Sequence, residues 1–282
     1  MPFYQVVVLA LVQGVTEFLP ISSTAHLALV PWVFGWRDPG LAFDIALHVG
    51  TLVAVAAYFF RTWIRLLGLA VGRRLLPPAP SHADADLDAN PRLFRFLVLA
   101  TLPAAAAGLL FQGQVETVLR SPFIIAATMI AVGILLGWAE RRGPFPKDLG
   151  RLTLPDALLI GLAQAAAVVP GVSRSGITMA AALLCGVSRS AAARFSFLLS
   201  TPVIFGATLK TAWDLTRTGI PPDMMFPFAA GILISGLTGY LVIAWLLRYL
   251  QTATFLFFVW YRIVCGIIIL ALAFFRGPFP AY

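Results

Sequence analysis

Six apolar runs constrain this chain more than any other feature: Leu41 to Phe60, Phe94 to Phe111, Pro122 to Ala139, roughly Phe195 to Trp213, Phe226 to Leu247 and Thr254 to Phe275. Each matches the about 17 to 25 residues that a helix needs to cross a bilayer. Hydrocarbon offers no water to the peptide groups, so a segment lying in it must satisfy its own N–H and C=O groups, and a helix does so within itself. The composition agrees: 60% of the 282 residues are hydrophobic and only 11% are charged, outside the range of soluble domains. The expectation is an all-α integral membrane protein with no large soluble domain. The net charge of +8 does not point to nucleic acid, because the arginines sit at the ends of apolar runs and not along one face. Cys185 and Cys265 stand singly in distant apolar segments, which suits packing and neither a disulfide framework nor metal-ligand spacing.

Two further apolar stretches, Phe3 to Phe34 and Leu154 to Val187, carry proline and polar residues near their centres. Such backbone is tolerated at membrane depth only where protein buries it or it lines a wet cavity, so both read as re-entrant hairpins of broken helix. The first has no basic n-region, and Glu17 and Pro20 interrupt what would be the smooth core of a signal peptide, so it reads as part of the mature fold. QGVTEFLPISSTAHLAL from Gln13 and QAAAVVPGVSRSGITMAAAL from Gln164 each pass from Gln through an apolar run and Pro into a hydroxyl cluster, aligning Pro20 with Pro170 and Ser23 with Ser173. Three crossings follow each hairpin. Three is odd, so the second copy must enter the bilayer upside down, which is an inverted-topology repeat with halves at 1–139 and 154–282 in a single membrane domain.

Basic residues orient the chain. Six arginines between Arg61 and Arg95, with Arg141, Arg142, Lys147, Arg151 and Arg248, fall on one side and leave Arg37, Arg120, Lys210, Arg217 and Arg276 to the other. The first side is cytoplasmic by the positive-inside rule. The first hairpin then enters from outside and the second from the cytoplasm, with their tips meeting near the middle. DADLDAN, Asp84 to Asn90, starts like a calcium loop but has Ala89 and Arg95 where Gly and Glu belong, so it reads as a solvated linker. The small-residue spacing of Gly231, Ser235 and Gly239 reads as helix packing.

The hairpin tips hold the chemistry. A proline followed by hydroxyls ends one short helix and starts another, with Ser22 or Ser23 as N-cap in the first tip and Ser173 in the second, where Gly171 permits the turn. Facing helix N-termini, hydroxyls and the Arg174 fork suit phosphate oxygens, and a diphosphate fits best. Capping or packing alone would explain Ser22, Ser23, Ser173, Ser175 or Thr178 singly; the matched clusters favour phosphate binding. Glu17, ionised in a membrane segment, costs roughly 2.5–3.5 kcal/mol and needs a partner. Arg174 is one candidate. A divalent cation, Mg²⁺ or Ca²⁺, is the other, since a carboxylate facing a diphosphate repels it unless a metal lies between. His26, one turn after Ser23, is either a buried neutral histidine bound to a carbonyl or the group that takes a proton from Ser23 or a water. Asp44 and His48, one turn apart in the next crossing, would support the site from behind.

These residues resemble the BacA family of undecaprenyl diphosphate phosphatases, also called bacitracin resistance proteins. EFLPISSTAH and PGVSRSGIT look like its two signature motifs, and SRSAAARFSFLLSTPVIFGA, Ser188 to Ala207, is similar to its following stretch. The resemblance implies a bacterial inner-membrane enzyme that hydrolyses undecaprenyl diphosphate to undecaprenyl phosphate and inorganic phosphate for peptidoglycan synthesis. It also implies a site open to the periplasm, dependence on a divalent metal, and roles in catalysis or phosphate binding for Glu17, Ser23, His26, Ser173, Arg174 and Thr178. Many members have Glu where this chain has Gln13, so a paired carboxylate is reduced to one acid, with the Gln13 carbonyl as a weaker second ligand. The usual Gly before the motif histidine is Ala25. The expected mechanism has Arg174, both helix N-termini and a metal on Glu17 neutralising the diphosphate, while Ser23 attacks the terminal phosphorus with help from His26. Direct attack by water remains open, as does a lipid-phosphate transporter or flippase using the same anion site. The expected partners are the lipid substrate and membrane lipid, with no nucleic acid; the oligomeric state, a homodimer included, is open.

Overall fold

The computed structural model describes residues 1–77, 86–117, 119, 121–218 and 222–277, except for side chains at 112–117, 211, 212 and 214–218. The linker 78–85, including Asp84, and Arg120 lie outside the described residues, as does the side chain of Arg217. The protein is all-helical: α1 Phe3–Thr16, α2 Ser23–Phe34, α3 Leu41–Tyr58, α4 Phe60–Ala70, α5 Leu93–Thr117, α6 Pro122–Glu140, α7 Leu154–Ala165, α8 Arg174–Leu184, α9 Arg189–Thr218, α10 Pro222–Tyr249 and α11 Leu256–Arg276. Six of these, α3, α5, α6, α9, α10 and α11, are long and apolar enough to cross a membrane. They coincide with the six expected runs, and the chain is a multi-pass membrane protein. The two remaining pairs, α1 with α2 and α7 with α8, are the broken elements.

The hairpins enter from opposite ends of the helix bundle. At one end the Phe3 and Phe226 rings meet at 5.6 Å and Arg276 donates to Val33 O at 3.1 Å. At the other, Arg194 pairs with Asp86 at 3.0 Å, Lys147 with Asp156 at 3.0 Å, and Arg189 with Glu140. Thr153 caps α7 at that same end and forms a capping box with Asp156, which sets where the second hairpin begins. The solvated-linker expectation needs correction for residues 86–90. Leu87 is fully buried, Asp88 pairs with Arg65 at 2.9 Å, and Asn90 Nδ2 donates to Leu149 O and Leu152 O at 3.0 Å each. This stretch docks because its acids meet arginines from α4 and α9, a tertiary fact that local composition does not carry. Residues 60–70, expected in a loop, form α4, which buries Thr62, Leu66 and Gly68.

Small residues bring the long helices together. Helix α10 packs on α3 through Gly231, Ser235 and Gly239, as the spacing predicted, and on α1 at Gly14, where a Cβ would strike Thr238 and Ser235 O. Ser235 Oγ donates to Leu47 O at 2.9 Å, and a Cβ on Gly50 would collide with Ser235 Oγ and Ile232 O.

Arg262, in the middle of α11, joins the two tips. It is fully buried, and its guanidinium donates to Pro20 O at 3.1 Å in the first tip and to Gly171 O at 2.9 Å and Val172 O at 3.0 Å in the second. Its Nε reaches Met129 O at 3.1 Å on α6. A planar fork with five donors suits this task, because broken helices leave carbonyls without helical partners. Gly171, at φ +87°, makes the tight turn beside it, where a Cβ would strike Thr128 Oγ1 and lie 2.6 Å from Ile125 O.

Two outcomes are expected. Gly50→Ala overpacks the α3–α10 contact at a cost of about 1–3 kcal/mol, read as a lower denaturation midpoint in detergent; an unchanged midpoint would mean the helices separate without penalty. Arg262→Leu leaves several buried carbonyls without donors and destabilises by about 3 kcal/mol or more, with only partial recovery in Arg262→Lys, whose ammonium cannot span both tips.

Candidate active site

The break in the first hairpin places Ser22 as the N-cap of α2 at φ 76° and ψ 98°, and that in the second places Ser173 as the N-cap of α8 at φ 69° and ψ 111°. Each cap hydroxyl accepts from the amide three residues on, Ala25 N at 3.4 Å and Gly176 N at 3.1 Å. These matching conformations correct the alignment of Ser23 with Ser173: Ser22 is the counterpart of Ser173, and Ser23 that of Arg174. Gly171 lengthens the second tip by one residue, so matching the prolines misplaces the caps. Left-handed φ at a non-glycine residue is strained, and here it recurs at both caps, where the surrounding bonds hold it.

Ser23 and Arg174, the first residues of the two helices, both reach Glu17. Ser23 Oγ donates to Oε2 at 2.6 Å, and Arg174 Nη2 donates to Oε1 at 2.7 Å. Gln13 Nε2 adds a third donor at 3.1 Å, and His48 Nε2 lies 3.5 Å away. Thus the ion pair between Glu17 and Arg174, one of the two partners the sequence left open, is formed. The carboxylate is only 7% exposed, and its charge is compensated on both oxygens. Ser175 Oγ, donating to Leu19 O at 2.8 Å, ties the tips a second time.

Glu17, Ser22, Ser23, Thr24, His48, Ser173 and Arg174 line one cavity of roughly 360 Å³, whose remaining walls are mostly apolar side chains of α3, α5 and α9. The first amide groups of α2 and α8 have no helical acceptor, so the cavity collects two positive helix ends, a guanidinium and several hydroxyls. Such a set is chemically suited to an anion, and it holds a hydroxyl bonded to a carboxylate that could take its proton.

Three expected site residues lie elsewhere. His26 does not line this cavity: its Nδ1–H donates to Ser22 O at 2.7 Å and its Nε2 accepts from Tyr261 OH at 2.7 Å, against which the ring stacks. Helical periodicity put it on the face of Ser23, but its Nδ1–H is taken up by the Ser22 carbonyl one turn back, and its basic nitrogen, Nε2, is occupied by the Tyr261 hydroxyl. Thr178 is fully buried behind Arg174, bonding Arg174 O at 2.7 Å and Ser196 Oγ at 2.7 Å, while Ser196 O accepts from Arg174 Nη1 at 3.3 Å. It holds the helix that carries the guanidinium and does not reach into the cavity. Gln13 stands behind Glu17, outside the cavity lining, with its Oε1 buried and unpartnered among the described residues.

Of the supporting pair, His48 enters the cavity, and Asp44 contributes its carbonyl to His48 Nδ1 at 2.7 Å. Sequence reasoning missed Arg262, although an arginine deep inside an apolar run signals its cost and hence a task. It also passed over Gln164, which lines the cavity.

Comparison with known proteins finds relatives along nearly the whole chain. The family model described as bacitracin resistance protein BacA matches residues 6–268. A protein of Pelotomaculum thermopropionicum named undecaprenyl-diphosphatase is 48% identical over 273 residues, covering 97% of each chain. Proteins of the same name from Moorella thermoacetica and Geobacter sulfurreducens are 46% and 45% identical, covering 98% and 95% of this chain and 100% and 97% of their own. The chain belongs to the BacA family.

Proposed function

We propose that this protein hydrolyses undecaprenyl diphosphate to undecaprenyl phosphate and inorganic phosphate, recycling the lipid carrier for peptidoglycan synthesis and giving bacitracin resistance. The observation that carries the reading is the single carboxylate, Glu17, bonded at once to the Ser23 hydroxyl and the Arg174 guanidinium where two helix N-termini meet. The relatives at 45–48% identity support the substrate.

In the proposed reaction the terminal phosphate competes with Glu17 for Arg174, and the free amide groups of α2 and α8 bind its oxygens. Releasing Glu17 from the guanidinium makes it a stronger base for the Ser23 proton, which it already holds at 2.6 Å. Ser23 Oγ bonds to the terminal phosphorus as the bridging P–O bond breaks; the proton passes to Glu17 and undecaprenyl phosphate leaves. Water then cleaves the phosphoserine. Most of the acceleration in such a reaction comes from fixed positive charge around the transferring group.

A divalent cation is retained in this reading, with Glu17 as the ligand that faces the cavity and Gln13, behind it, offering an Oε1 that has no partner among the described residues. No cluster of three His, Cys, Asp or Glu stands there among the described residues, so the set suits Mg²⁺, which takes one or two protein ligands with phosphates and water, better than Ca²⁺. When bound, the cation would neutralise charge on the diphosphate oxygens. The end bearing the Arg65–Asp88 and Arg194–Asp86 pairs is read as cytoplasmic. Leu41, at the start of α3 toward the opposite end, lines the cavity, which supports the reading of a site open to the periplasm of the inner membrane. Hairpins entering from opposite ends support the inverted-repeat reading of the two halves.

Purified native protein in detergent is expected to release phosphate from the prenyl diphosphate and to yield a trappable phosphoserine at Ser23. No release, with a lipid phosphate still crossing liposomes, would replace the enzyme by a transporter. Arg174→Ala is expected to lower kcat by about 10²–10³ with the fold intact, and Asp44→Ala to act more mildly. Chelation should abolish release and Mg²⁺ restore it; activity indifferent to chelators would remove the metal from the reading.

A further inference from the structure

Gln164, on the last turn of α7, is 1% exposed and lines the cavity, yet neither its Nε2 nor its Oε1 has a hydrogen-bond partner among the described residues. A buried carboxamide with both ends unmatched costs several kcal/mol unless something meets it. The two halves explain why it is unmatched. Gln164 occupies the place of Gln13, whose amide donates to Glu17 one turn later. One turn after Gln164 stand Ala167 and Val168, which also line the cavity, so the second half has no carboxylate to occupy its glutamine.

Thr208 repeats the pattern. Its Oγ1 is buried and unpartnered among the described residues, although a helical threonine ordinarily donates to the carbonyl four residues back, and it lines the same cavity from α9. Leu41, Ile45, Ala104, Val203, Ile204 and Ala207 supply apolar wall to the same cavity. Besides the charged cluster of Glu17, Ser23 and Arg174, the lining thus offers two neutral polar groups and much hydrocarbon.

We infer that Gln164 and Thr208 form a second subsite that binds the phosphate attached to the prenyl chain. The inference rests on the activity proposed above. With Ser23 and Arg174 at the terminal phosphorus, the bridging oxygen leads to a second phosphate on the side of the cavity from which an apolar tail departs. That phosphate becomes the lipid product, and it needs donors that hold it without gripping it as a guanidinium would. A carboxamide N–H and a hydroxyl supply them, while the Gln164 Oε1 is left to accept from a water. Neutral donors also let the monophosphate product leave, whereas a second fixed cation would retain it.

Purified full-length protein tests this with two probes, farnesyl phosphate and inorganic phosphate, each as inhibitor and each by calorimetric binding. In Gln164→Leu the affinity for farnesyl phosphate is expected to fall about tenfold or more, with inorganic phosphate unchanged and the KM for the diphosphate rising while kcat stays within about threefold. Gln164→Glu, which keeps the shape but sets a charge against the ester, should fall further, and Thr208→Val should show a smaller loss of the same kind. Unchanged farnesyl phosphate affinity in both Gln164→Leu and Thr208→Val would mean that buried water alone occupies these groups and would overturn the inference. Equal weakening of both probes would overturn it too, since the residues would then serve the whole anion site. If the native protein hydrolyses nothing, the proposed activity fails, while calorimetry still decides the subsite.

Discussion

Every functional group in this protein depends on two interrupted helices meeting at the centre of the bundle, and one arginine makes that meeting stable. Where a helix breaks inside a membrane its last carbonyls lose their partners, and water is not there to replace them. Arg262 answers carbonyls of both tips from a single planar fork, reaching Pro20 on one side and Gly171 and Val172 on the other. Its charge is thereby spread over oxygen dipoles, so the cation and the orphan carbonyls resolve each other's cost. The result is a rigid junction of two chain segments some 150 residues apart in sequence.

With the tips so held, their outward faces are forced to share a cavity. Two helix N-termini and the Arg174 guanidinium would repel each other without an anion between them, and Glu17 fills that place. The free site is thus internally neutralised, which is how so charged a constellation persists at membrane depth. In the proposed reaction a phosphate displaces the carboxylate from Arg174 and so releases a base beside Ser23, and a divalent cation would offset the charge that the phosphate adds. Binding and activation are then one exchange of partners.

The two hairpin tips resemble each other in conformation more than in chemistry. Ser22 and Ser173 cap their helices with nearly the same strained dihedrals. The side chains hung on that frame differ: Ser23 against Arg174 at the first helical position, and Glu17 against Ala167 or Val168 in the preceding arm. One hairpin supplies a hydroxyl bonded to a carboxylate, the other the guanidinium that pairs with it. Asymmetry laid on a symmetric frame is what leaves Gln164 facing the cavity.

The sequence by itself determined the crossings, the breaks and the composition of the tips. Run length against bilayer thickness, proline in a helix and hydroxyls after it are local causes with local effects, so Glu17, Ser23, Ser173 and Arg174 could be singled out without coordinates. It also carried the small-residue seam of α10, because helix periodicity puts Gly231, Ser235 and Gly239 on one face. Only the tertiary structure decided which side chains turn inward. His26 and Ser23 share a helical face, yet the Ser22 carbonyl and the hydroxyl of Tyr261, 235 residues away, take up both ring nitrogens. Thr178 was hidden by Ser196, His48 was brought in by α3, and residues 86–90 were docked by arginines from other helices. Hydrogen bonds between distant segments choose among the rotamers that local sequence leaves equally open, and those choices separate the groups that touch the cavity from those that hold them in place.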